Sequence, residues 1–146
     1  MIKKALSITI VIVWCTLIFG YSNQNGDISK GTSDKVVNYI GNIFKIKEES
    51  REKLTFPVRK CAHFFVYFVL GFLIINMFKT FDVKTSHAII ISAIFCMIFA
   101  GSDELHQLFI RARTAKVSDV LLDSSASLLG IYLYYLLIRG KYEKNI

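Results

Sequence analysis

Four stretches of the chain are apolar on every side, and one is apolar on a single side. The all-round runs cover about residues 5–21, 58–78, 86–109 and 118–138. A helix that is apolar all round belongs in a core or in lipid, and about 20 such residues at 1.5 Å each cross the hydrocarbon of a bilayer. Each run is therefore predicted to be a membrane helix. Between the first two lies Ser33 to Ile46. There Val36, Val37, Ile40, Ile43 and Phe44 recur at helical spacing, opposite Asp34, Lys35, Asn38 and Asn42. That pattern predicts an amphipathic helix, either lying at the membrane interface or packed on the end of the bundle. The mixed charges of Lys45 to Lys53 read as a solvated face, and Pro57 as the boundary before the second span.

The fold expected is all-α. It is a polytopic membrane protein, a four-helix transmembrane bundle with an interfacial helix between spans one and two. Residues 1–146 form a single membrane domain. The first run is read as a retained helix and not a signal peptide, because it is long and no small-x-small cleavage site follows. Bulky Trp14 before Cys15 also fits a lipoprotein site poorly.

Composition supports this and narrows the partners. The chain is 53% hydrophobic with a net charge of +7. Its basic residues flank the apolar runs, where anionic lipid headgroups meet them, so membrane lipids and not nucleic acid are the expected partners. Cys15, Cys61 and Cys96 lie in or beside apolar runs without metal or redox spacing, and read as buried hydrophobes. No cofactor is expected.

Topology then turns scattered polar residues into one candidate site. In an up-and-down bundle, the end of span one (Gln24), the start of span two (Arg59, Lys60, His63), the end of span three and the start of span four share one side. The third span ends in Ser102-Asp103-Glu104-Leu105-His106-Gln107, and ionisable groups at membrane depth are costly enough to suggest function. Asp103 and Gln107 fall on nearly one line of their helix, with His106 and Glu104 on either flank. Asp119 and Asp123 are one turn apart on the fourth span, in a stripe with Ala126, Ser127 and Gly130 that lets a neighbour approach closely. Lys60, His63 and Tyr67 share a face of the second span, and Arg111 and Arg113 lie in the loop between spans three and four.

Sidedness draws on two conflicting signals. Counting Lys and Arg puts the motif side in the cytoplasm, whereas Lys3 and Lys4 put the N-terminus there and the site outside. The second is preferred, with both termini cytoplasmic and the site facing outward.

Three motifs in order carry a resemblance. Lys60-Cys-Ala-His63-Phe-Phe-Val-Tyr67, Asp103-Glu104-Leu-His106-Gln107, and Arg113 followed by Asp119 together resemble the VanZ-like family of small bacterial membrane proteins. Tyr21-Ser22-Asn23-Gln24 is similar to the polar tip after that family's first helix. The resemblance implies a bacterial cytoplasmic membrane protein that lowers susceptibility to glycopeptides such as teicoplanin. The chain departs from the family's usual residues at Val66, Asp123 and Arg111-Ala112.

The residues allow three functions. A binding module would hold an envelope lipid, a lipid-linked cell-wall precursor or a lipoglycopeptide through Gln24, Arg59, Lys60, Tyr67, Gln107, Arg111, Arg113, Asp119 and Asp123. A membrane enzyme would use His63, Asp103, Glu104 and His106 for acid–base work on a lipid or lipid-linked substrate. Simple cross-linking of helix ends is the third. Binding is preferred. His63, Asp103, Glu104 and His106 are chemically able to ligate zinc, but they lack the paired-histidine spacing of a helical zinc motif, so no metal is assigned. Oligomeric state stays open.

Overall fold

A computed structural model describes residues 1–143 of the chain, with side chains through Ile138. It contains five helices: α1 (Ile2–Ser22), α2 (Gly26–Ile43), α3 (Glu48–Thr80), α4 (Thr85–Gln107) and α5 (Val117–Glu143). Four are long and apolar enough to cross a membrane: α1, α3, α4, and α5 over Val117–Ile138. Large apolar side chains such as Ile12, Phe65, Ile98 and Leu129 point outward along them. That is the surface a bilayer would cover.

Helix α3 is the axis, in contact with every other helix. Its closest partner is α5, because glycines face carbonyls across the seam. A Cβ at Gly71 would strike the Ser127 carbonyl, and one at Gly130 the Phe68 carbonyl. Close backbone approach of this kind needs residues without side chains. The stripe expected on the fourth span thus lies against α3. Tyr67, Leu70, Ile74, Cys96, Ala100 and Ala126 fill the core beside this seam.

Two boundaries differ from the expectations. Pro57 is inside α3 and does not begin it. A proline removes one helical hydrogen bond and crowds the preceding turn. Contacts to α2 offset that loss: the Thr55 hydroxyl donates to Asp34, and Arg51 lies against Gly41 while its Nε donates to the Ile46 carbonyl at 2.9 Å. The Lys45–Lys53 stretch is mostly exposed, as expected, but helical from Glu48. Helix α2 starts seven residues early, since Asn25 caps it by accepting the Asp27 N–H at 3.1 Å.

Helix α2 covers one end of the bundle with Gly26, Ser33, Val37 and Gly41 turned inward. Of the five apolar positions expected on one face, Val37 is buried against the bundle. Val36, Ile40, Ile43 and Phe44 remain exposed. At the other end Lys4 pairs with Asp82 at 3.7 Å, and Lys79 Nζ donates to the Val83 carbonyl at 2.9 Å. Span parity assigns Arg139 and Lys141 to this end as flanking charges; they lie outside the residues with described side chains.

Candidate functional site

The end covered by α2 holds a connected polar network, and Arg113 is its hub. Its Nε donates to the Gln24 carbonyl at 3.0 Å and Nη2 to the Tyr21 carbonyl at 3.2 Å. Carbonyls at a helix C-terminus lack partners and carry partial negative charge, so a guanidinium suits them. Arg113 Nη1 donates to Gln107 Oε1 at 3.2 Å. Gln107 Nε2 in turn faces Glu104 Oε1 at 3.1 Å and Asp103 Oδ2 at 3.4 Å. Glu104 Oε2 accepts the Lys116 N–H at 2.9 Å, just ahead of α5. One chain of bonds therefore links the end of α1, the end of α4 and the start of α5. Burial, and then the neighbouring Arg59 guanidinium, push the pKa of Arg113 down against the pull of Asp103 and Glu104. An arginine keeps its charge through such a shift.

Helices α3 and α5 are joined by charge at the same depth. Lys60 forms an ion pair with Asp119, and its ammonium lies 5.3 Å from the centroid of the Phe56 ring. One turn deeper, His63 Nδ1 lies 3.6 Å from Asp123 Oδ2. That distance suits an ion pair and is long for a hydrogen bond. Deeper still, Tyr67 sits beside Asp103 and Asp123. All three are at most 1% exposed. The Tyr67 hydroxyl, Asp103 Oδ1 and both Asp123 oxygens have no hydrogen-bond partner among the described residues. Unpaired polar groups in a dry interior are costly, and natural proteins keep few of them.

Two cavities meet here. The larger, about 460 Å³, lies between α1, α2 and α3. Its walls are apolar (Trp14, Leu17, Ile18, Ala62, Val66), its roof is Ser29, Thr32 and Ser33 of α2, and its charged end is Arg59, His63, Asp103 and Arg113. The smaller, about 90 Å³, is bounded by Lys60, Gln107, Lys116 and Asp119, and shares Arg59, His63 and Arg113 with the first. The side chains of Arg59 and Lys116 make no ion pair or hydrogen bond among the described residues, so their charge is available to an anion.

A family model described as VanZ/LLP1 matches residues 7–138. The chain belongs to the VanZ/LLP1 family. The match includes every member of the polar network, from Tyr21 to Asp123. No curated protein and no solved structure matches the chain.

Within this VanZ/LLP1 bundle the residues singled out in the sequence divide into three groups. Gln24, Arg59, Lys60, His63, Asp103, Gln107, Arg113 and Asp119 line one or both cavities. Glu104, Tyr67 and Asp123 are buried behind the lining. Arg111 and His106 lie apart. The Arg111 side chain is exposed, and its contribution is a carbonyl that accepts the Gly26 N–H at 3.1 Å. His106 stacks on Phe19 with ring centroids 4.3 Å apart, and its Nε2 lies 3.1 Å from Asn23 Oδ1. It faces α1 because it is 100° round the helix from Gln107, so one residue step turns it out of the site. Among the described residues, no three His, Cys, Asp or Glu side chains gather closely enough to hold a metal ion.

Sequence reasoning missed Lys116, Trp14 and the α2 roof. Lys116 was legible as a member of the Arg113 loop. Ser29, Thr32 and Ser33 recur at helical spacing, which marks one face of α2 as small and polar. Trp14 left no signal beyond being the chain's only tryptophan.

Proposed function

We propose that this protein binds an envelope lipid or a lipid-linked precursor, with its headgroup in the cationic chamber and its chain in the apolar slot. The observation that carries this reading is that an apolar cavity and a cationic one adjoin and share Arg59, His63 and Arg113 as lining. A ligand reaching across those residues is an amphiphile with an anionic head. Leu17, Tyr21, Thr32 and Ala62 line the slot yet stay exposed, which opens it sideways, so a lipid could enter from the bilayer. The protein would sit in a bacterial cytoplasmic membrane with the site facing outward. Holding a cell-wall precursor there would lower susceptibility to glycopeptides such as teicoplanin.

Native mass spectrometry of the detergent-purified protein tests the reading. Arg59→Gln is the variant of choice, because Arg59 lines both cavities and makes no side-chain ion pair or hydrogen bond among the described residues. Wild type should retain a phosphate-bearing lipid that the variant loses. An identical lipid complement in both would remove the headgroup site.

One observation favours a second reading. His63 borders both cavities and is backed by the Asp123 carboxylate, an arrangement able to hold or deliver a proton. A membrane enzyme acting on the same lipid would use it as general acid or base. Purified protein that changes no lipid in a total membrane extract, or a His63→Gln variant as active as wild type, would count against this.

A further inference from the structure

The slot has a floor. From α1, the wall residue farthest from the charged end is Trp14, and from α3 it is Val66. These two are bonded to each other: the Trp14 indole N–H donates to the Val66 carbonyl at 2.9 Å. The bond fixes the ring across the gap between the helices. Trp14 is half-buried and packs against the core cluster that contains Val11, Tyr67 and Leu70, which gives the ring support. Trp14 to Ser22 is eight residues, and Arg59 to Val66 is seven. At 1.5 Å per residue the slot therefore runs about 10–12 Å from its charged rim to the indole. One leaflet of a bilayer holds about 15 Å of hydrocarbon, half of its ~30 Å core. A membrane lipid chain is thus longer than the slot.

We propose that Trp14 is a specificity-determining stop. It encloses the part of a ligand's chain next to the headgroup and turns the remainder out through the lateral opening into lipid. The ligand class that fits is an anionic amphiphile with one slender chain in the slot, held by its proximal segment and indifferent to its tail length. This rests on the lipid-binding reading above and adds to it a depth and a residue that sets the depth.

Because Trp14 is the only tryptophan, its fluorescence reports on the floor directly. The probes are single-chain alkyl phosphates carrying bromine near the headgroup, at mid-chain about 12 Å below the phosphate, or at the end of a longer chain. They are added to the full-length protein in a neutral detergent. The quenching to be read is the part that saturates and is reversed by unbrominated alkyl phosphate, since quenching by bulk detergent or lipid does neither. It should be strongest for the mid-chain bromine and weaker for the other two. Ala62→Leu, at a wall position between rim and floor, narrows the slot and should weaken the saturable mid-chain quenching. Equal saturable quenching from all three bromines, or the strongest quenching from the chain end, would overturn the stop while leaving lipid binding intact. No saturable quenching from any probe would instead overturn the binding reading itself, and the stop with it.

Discussion

The two flanks of α3 are built on opposite principles. On one side α5 lies so close that Gly71 and Gly130 have no room for a methyl group, and Ser127 Oγ lies 3.1 Å from the Tyr67 carbonyl. On the other side α1 and α2 stand off and leave a cavity of about 460 Å³. Helices in lipid gain little from burying apolar surface against each other, so close packing and hydrogen bonds must hold them. The α3–α5 seam supplies both, and it carries Lys60, His63, Asp119 and Asp123 on a rigid frame. The α1–α2 flank is held by separate side-chain contacts around the cavity: Arg113 at its rim, Trp14 at its floor, and Thr55 and Arg51 against α2. A close-packed wall of charges facing an apolar cavity suits an amphiphile.

Leucine at either seam glycine should break the comparison most severely. Overpacking a dense contact commonly costs about 1–3 kcal/mol, and here the clash is with backbone that cannot step aside. Gly71→Leu or Gly130→Leu should therefore yield little monodisperse protein on size exclusion. The same change at Gly20, which has nothing within 4 Å on the α1 flank, should leave the elution profile unaltered.

Arg113→Gln comes next. It removes the bonds that tie α1 to the loop, and hydrogen bonds involving a charged partner are worth about 1.5–3 kcal/mol each. Because Arg113 is only half-buried, water takes over part of those bonds, and a loss of about 2 kcal/mol in denaturant unfolding is expected, together with weaker binding of an alkyl phosphate. Arg111→Gln should change neither, since that side chain is exposed and borders no cavity. Equal effects of the two would deny Arg113 its role as hub.

Two smaller changes sharpen the picture. Ala112 has φ 60°, a left-handed conformation that costs a non-glycine residue about 1 kcal/mol. Ala112→Gly should raise stability by up to about that amount, less the extra backbone entropy glycine loses on folding. Tyr67→Phe should be the least disruptive, leaving stability at or slightly above wild type, because the hydroxyl it removes is buried without a partner among the described residues. A large loss of stability would mean that the hydroxyl is engaged.

Much of the grouping of polar residues at one end was legible because helical period and span count are local properties. Lys60, His63 and Tyr67 share a face by spacing alone, and parity of the spans brings that face to the ends of α1 and α4. Spacing alone does not separate residues where one residue step or one contact decides. His106 and Gln107 are adjacent in sequence, yet one stacks on Phe19 and the other lines the chamber. Pro57 looks like a boundary until α2 lies beside it. Arg111 and Arg113 look equivalent in a basic loop. The left-handed turn at Ala112 between them accompanies their separation, with Arg113 on the carbonyls of α1 and Arg111 in solvent.

By itself the sequence determined four membrane helices, an amphipathic fifth, one polar end and membership of a family whose motifs lie at that end. Those follow from hydrophobic period and chain order, which need no knowledge of what touches what. The tertiary structure alone decided that α5 and not α1 lies tight against α3, that the gap on the α1 side is a slot, and that Trp14 closes it. Packing distance depends on which small residues meet across a crossing, and that is a property of pairs of helices that no single stretch of chain contains.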